Sequence, residues 1–184
     1  MDNYVRVYEN VLSDTLCDEI IKFFEENKKQ QVTQKEGSMS FTEISITENP
    51  NWVGYNKQLS RVLVKGVTEY ANDCNMLPQQ WPKKHGWESI RIKRYLPNDE
   101  DQFDNHVDVM DYDTARRFLV FFIYLDDNFC GQTVVNPKDD LFVSSCKKGS
   151  MLIFPPMWPW LHRGAKPIRT PKYIVGSYLH YVRY

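Results

Sequence analysis

The sequence predicts an α+β, mainly β fold: a double-sheet jelly roll, or double-stranded β-helix, with N-terminal helices packed on its larger sheet. Two observations carry this expectation. The second half of the chain divides into short β-rich segments separated by turn residues, and the first half holds two amphipathic helical patterns. At 184 residues the chain is expected to form one domain, with 1–88 as a helical support region and 89–184 as the jelly-roll core.

In chain order, Tyr4-Val5-Arg6-Val7-Tyr8 alternates in character and reads as a first strand. Ser13 offers an N-cap to a helix with Leu16, Ile20, Phe23 and Phe24 on one stripe, ending near Lys28-Lys29. Gln30 to Ser38 is polar, contains Gly37 and reads as a mobile connection. Ser40 to Thr47 alternates as a strand would. A second helix is expected from about Asn56 to Cys74, with Leu59, Val62, Leu63, Val67, Tyr70 and Cys74 on its apolar face. Pro78, Pro82 and Gly86 mark a turn-rich stretch. Strands follow near Ser89 to Tyr95, Gln102 to Asp108, Arg117 to Leu125, Gly131 to Asn136, Ser150 to Phe154 and Tyr173 to Tyr181. The breaks between them carry Pro97-Asn98-Asp99, Asp126-Asp127-Asn128, Asn136-Pro137, Lys148-Gly149 and Pro155-Pro156.

Composition excludes several classes. A formal net charge of −1 gives no basic footprint for nucleic acid and no polybasic membrane signal. No apolar run approaches a membrane span, and Met1-Asp2-Asn3-Tyr4 lacks the character of a signal peptide, so a cytoplasmic location is expected. Cys17, Cys74, Cys130 and Cys146 are far apart and read as reduced thiols.

The chemistry centres on Asp104-Asn105-His106-Val107-Asp108. In a strand, His106 and Asp108 share a face and aim an imidazole and a carboxylate the same way. His162, in an aromatic and proline-rich passage, supplies a second imidazole. Two histidines and a carboxylate make the facial triad of non-haem Fe(II) oxygenases, which leaves adjacent iron positions open for co-substrate and dioxygen. Lys172, ten residues after His162, stands at the mouth of the last strand, where an ammonium could meet an anionic ligand.

The ordered motifs resemble the catalytic domain of the 2-oxoglutarate and Fe(II)-dependent prolyl 4-hydroxylases. The matching run is Tyr95-Leu96-Pro97, His106-x-Asp108, Tyr124-Leu125-Asp126 and Gly131-Gln132-Thr133-Val134. It continues with Gly149-x-x-Leu152-Ile153-Phe154-Pro155, His162-Arg163-Gly164 and Lys172-Tyr173, and Val11-Leu12-Ser13-Asp14-x-x-Cys17 resembles the family's opening helix. The resemblance implies His106, Asp108 and His162 as iron ligands, with Lys172, Tyr124 and Thr133 on the distal carboxylate of 2-oxoglutarate. Tyr95 and Tyr178 match aromatic positions beside that co-substrate, while Arg117 and His180 match residues associated with peptide binding. The implied reaction hydroxylates proline in a peptide or protein and releases succinate and carbon dioxide; Fe(II), 2-oxoglutarate, dioxygen and ascorbate are the implied cofactors and co-substrates.

The chain departs from the family at Tyr178, where tryptophan is frequent, at Cys130-Gly131 in place of Gly-Gly, and at Arg169-Thr170-Pro171 before the lysine. Two other readings stand beside the peptide hydroxylase: the same chemistry on a free amino acid or other small molecule, and a non-catalytic metal-binding β-barrel. Gln30 to Ser38 and Val109 to Ala115 are candidate lids. Trp158 and Trp160 are expected to brace the loop before His162, and His85 is expected to face solvent.

Overall fold

The computed structural model describes residues 4–136 and 142–183. Their strands form one antiparallel ladder that curls over itself into two facing layers, the jelly roll that the strand spacing predicts. The larger layer runs β1 (Arg6–Tyr8), β10 (Met151–Phe154), β7 (Arg117–Tyr124), β12 (Lys172–Tyr181), β5 (Arg91–Tyr95) and β3 (Met39–Ser45). The smaller continues through β6 (Gln102–His106), β11 (His162–Gly164), β8 (Asn128–Val135) and β9 (Phe142–Cys146). Two further strands, β2 (Val32–Glu36) and β4 (His85–Trp87), pair with β3 and β12.

Period-two alternation decides which side of the larger layer each residue serves. Along β7, Leu119, Phe121 and Ile123 join the core under the helices, whereas Val120 and Tyr124 join the core between the layers. The helices cover the outer side. In α1 (Asp14–Glu26), Ser13 Oγ accepts from the Leu16 N–H at 3.3 Å, and Cys17, Ile20 and Phe24 are fully buried. In α2 (Val53–Asp73), Leu59, Leu63, Val67 and Tyr70 face the sheet. Burying each such leucine or phenylalanine contributes roughly 1.5–3 kcal/mol, so this layer fixes the sheet that carries the site. Close approach matters as well: a Cβ on Gly66 of α2 would lie 2.5 Å from Met151 Sδ.

Several expectations change. Gln30 to Ser38 is no loose connection: after a 3-10 turn at Lys28–Gln30, β2 pairs along β3 from Val32↔Glu43 to Glu36↔Met39. Four of the five residues of β2 are exposed, so it lacks the alternation that reveals a half-buried strand. The short strands β4, β9 and β11 also escaped the sequence reading, and residues 4–88 supply β1 to β4 as well as both helices. Asn136 takes a left-handed turn conformation at φ 54°; Pro137 and the Met1-Asp2-Asn3 stretch lie outside the described residues. His85 does not simply face solvent: it is half-buried edge-on to Trp81 and Phe118, with Nδ1 buried and unpartnered. Trp160 packs between the layers, but Trp158 is 81% exposed and does not serve as the expected brace. All four cysteines are free, and no helix among the described residues is long and apolar enough to cross a membrane.

Candidate active site

His106 closes β6, His162 opens β11, and antiparallel pairing sets the two opposite each other. Their ring centroids are consequently 4.2 Å apart. Phe103 stacks on His106 at 3.5 Å and 8°, and Phe154 meets His162 edge-on at 4.8 Å, so neither ring turns freely. Each ring also hydrogen-bonds a backbone carbonyl through Nδ1, His106 to Asp104 O at 2.6 Å and His162 to Trp160 O at 2.9 Å. In a neutral imidazole that arrangement puts the proton on Nδ1 and leaves the Nε2 lone pair facing inward.

Asp108 lies just beyond the end of β6 and depends on neighbouring segments for its position. Its N–H donates to Pro156 O at 2.9 Å, and its carbonyl accepts from Arg117 Nη1 at 3.1 Å. The carboxylate is thereby held 3.5 Å from His106 Nε2 through Oδ1 and 3.4 Å from His162 Nε2 through Oδ2. Oδ2 is buried and has no hydrogen-bond partner among the described residues. Burial opposes the charge on Asp108, but the imidazoles outweigh it, His162 foremost, and hold the carboxyl well below the usual carboxylate range. What the carboxylate attracts is positive charge, supplied by imidazole protons or by a cation in their place. One ligand atom from each of the three residues lies within 4.8 Å of the others, a donor set that fits a divalent transition metal.

The other end of the cleft is built around Lys172, 3% exposed and opposite Tyr95 in the β12–β5 register. Its Nζ stands 5.6 Å from the centroid of the Tyr95 ring and 5.7 Å from that of Tyr124. Backbone comes close on two sides: a Cβ on Gly131 would lie 3.0 Å from Lys172 Cδ, and one on Gly164 would lie 3.5 Å from Nζ. Burial lowers the Lys172 pKa; a Cys146 thiolate would oppose this, but burial pushes that thiol up to about 11. Tyr124 Oη lies 2.8 Å from Thr133 Oγ1 and 3.2 Å from Ser144 Oγ. Burial also raises the pKa of Tyr95 and Tyr124, so both phenols remain protonated donors. The two ends share one cleft with about 440 Å³ of space, solvent-open volume included.

Of the sequence-selected residues, the structure gathers His106, Asp108, His162, Lys172, Tyr95, Thr133 and Tyr178 around this cleft, with Tyr124 beside Thr133. His180 is not among its lining residues: its Nδ1 lies 2.9 Å from Tyr181 O and its ring covers Gly86. Arg117 points inward but is occupied, pairing with both carboxylate oxygens of Glu88 at 2.7 and 2.9 Å and stacking over Tyr178 at 4.2 Å. Phe103, Glu88 and Lys93 were missed. Lys93 had a signal, since it precedes Tyr95 by two residues and so shares its face of β5.

No protein-family model matches the chain, and no curated protein matches it by sequence. Solved structures match it by shape. A viral collagen prolyl hydroxylase of Paramecium Bursaria Chlorella virus-1, solved with 2OG, is 19% identical, with TM-score 0.67 over 98% of this chain and 97% of that one. A Trichoplax adhaerens prolyl hydroxylase, in complex with a hypoxia inducible factor peptide fragment, is 16% identical, with TM-score 0.76 over 97% and 84%. This is the prolyl 4-hydroxylase fold. The same fold serves other chemistry: the non-heme alpha ketoglutarate dependent epimerase SnoN from nogalamycin biosynthesis is 12% identical, with TM-score 0.67 over 95% and 76%.

Proposed function

We propose that the protein is an Fe(II)- and 2-oxoglutarate-dependent dioxygenase that hydroxylates proline in a peptide or protein. The observation that carries this reading is the pairing of two half-sites across one cleft. The His106, Asp108 and His162 donors converge at one end, and Lys172 waits as a buried ammonium at the other.

When bound, Fe(II) and 2-oxoglutarate supply the oxidising chemistry, consuming dioxygen and releasing succinate and carbon dioxide as the substrate is hydroxylated. The protein's own residues orient and exclude. His106 and His162 offer Nε2 because their Nδ1 atoms are engaged on backbone carbonyls, and Asp108 offers the charge that offsets part of the metal's. Lys172 meets the distal carboxylate of 2-oxoglutarate, giving a buried cation a counter-charge that no described residue supplies as an ion pair. Tyr124 and Thr133 hold a hydroxyl pair on that side, and the Tyr95 and Tyr178 rings wall the cleft against water.

The peptide reading draws support from exposed apolar side chains on the segments flanking the metal donors. Met110 and Tyr112 follow Asp108, and Trp158 precedes His162, with exposures of 78%, 83% and 81%. Among the described residues, no feature marks a place for ascorbate. Succinate formation from 2-oxoglutarate with added Fe(II), followed with a panel of proline-containing peptides, tests the proposal. Fe(II)-dependent turnover enhanced by a peptide is expected, and no succinate under any of these conditions would refute it.

A further inference from the structure

The cleft holds a second lysine that the proposed chemistry leaves unused. Lys93 lies on β5 two residues before Tyr95, and its side chain lines the same cleft as Asp108 and Lys172. Its Nζ stands 4.4 Å above the Phe41 ring, a contact that holds the ammonium in place but supplies no counter-charge. No hydrogen bond or ion pair engages it among the described residues. Glu43 stands opposite it in the β3–β5 register, but that carboxylate is shared with Gln34 Nε2 at 3.2 Å and Arg91 Nε at 4.0 Å.

Charge balance, resting on the proposed function, sharpens the point. A divalent metal with Asp108 and the 2-oxo acid's proximal carboxylate is neutral, and Lys172 with its distal carboxylate is neutral too. Arg117 is matched by Glu88 and Arg91 lies by Glu43. Glu43 is then one carboxylate beside two cations, Arg91 and Lys93, so among the described residues Lys93 has no anion to itself, and such a group favours a ligand that brings one.

The geometry points to Lys93 as the residue that selects a prime substrate carrying a carboxylate close to the reacting carbon, received between Lys93 and the metal donors. An acidic side chain next to the target in a peptide would supply that carboxylate, and so would the free acid of a small molecule.

Binding to the zinc-loaded protein, saturated with 2-oxoglutarate, tests this without turnover, because Zn(II) has no redox chemistry. Two calorimetric pairs separate the sources: acetyl-Gly-Pro-Glu-amide against its Gln counterpart, and N-acetylproline against its amide. At least one acid should bind tenfold or more tightly than its neutral partner, and whichever pair shows the preference identifies the source. Lys93→Met should collapse that ratio toward one, and Lys93→Arg should keep it. Affinity for 2-oxoglutarate should change less than about threefold in both variants. No preference in either pair, no binding of either acid, or a preference that survives Lys93→Met would overturn the assignment. A large loss of 2-oxoglutarate affinity in Lys93→Met would also overturn it, by making Lys93 a co-substrate ligand. Failure of the wild type to bind 2-oxoglutarate at all would instead refute the oxygenase reading itself.

Discussion

Arg117 donates through Nη1 to the carbonyl of Asp108 at 3.1 Å, so the guanidinium that resembles a peptide-binding arginine holds the backbone of the candidate metal carboxylate. Glu88 orients it from the opposite side through two short hydrogen bonds. The Glu88 and Arg117 side chains are only 10% and 18% exposed, which makes the pair a structural strut.

Arg117→Ala should therefore weaken metal binding and lower peptide-free and peptide-coupled succinate formation together. It strands the Glu88 carboxylate, so stability should fall by an amount approaching the roughly 3–5 kcal/mol typical of a broken buried pair. Metal titration alongside chemical denaturation checks both effects. Selective loss of peptide turnover, with metal affinity unchanged, would return Arg117 to the peptide surface.

For Lys172, stability and binding should move in opposite directions. Lys172→Met removes a buried lysine that has no ion-pair partner among the described residues, so the ligand-free protein should gain stability, by roughly 1–4 kcal/mol if it follows other replacements of buried charge by apolar groups. Its affinity for 2-oxoglutarate should fall by orders of magnitude. A variant that is destabilised and still binds 2-oxoglutarate normally would show that the ammonium is used within the fold.

The same lysine sets a pH dependence. Burial lowers its pKa in the folded protein relative to the unfolded chain, where it is about 10.4. Between the two values the unfolded state binds more protons, so its contribution makes ligand-free stability rise with pH across that window, which ends at the ordinary lysine pKa. Binding of 2-oxoglutarate needs the ammonium, so affinity should fall over the same window. Lys172→Met should flatten the stability trend, and affinity that holds constant up to the ordinary lysine pKa would contradict the assignment.

Gly131 gives a steric test. A Cβ there would sit 2.9 Å from Asn128 Oδ1 and 3.0 Å from Lys172 Cδ, so Gly131→Ala must displace the lysine stem. The expected result is a several-fold loss of 2-oxoglutarate affinity with metal affinity retained. Gly164→Ala, whose Cβ meets Nζ at an ordinary 3.5 Å, should do less. Equal effects from the two would mean that the lysine stem has room to move.

Much of this arrangement was legible in the sequence. Short segments punctuated by Asn, Asp, Gly and Pro announced the strands, and the H-x-D pair with a later histidine and lysine announced the convergent groups. What escaped depended on partners distant along the chain. Glu88 reaches Arg117 across 29 residues, and only that pairing shows the arginine to be internally engaged. Asp108 lies past the end of β6, so its placement follows from the Pro156 and Arg117 contacts and not from strand alternation. Lys93 required a prior decision about which face of β5 looks inward, and β2, whose one apolar residue is the exposed Val32, carried no alternation.

We propose His106, Asp108 and His162 as an Fe(II) centre that turns over 2-oxoglutarate. Its most direct test compares Fe(II)-dependent succinate formation by the wild type and by Asp108→Ala, with folding of both verified by circular dichroism. The wild type should turn over 2-oxoglutarate and the folded variant should show nothing above background. Wild-type turnover retained in Asp108→Ala, or none in either protein, would contradict the proposal.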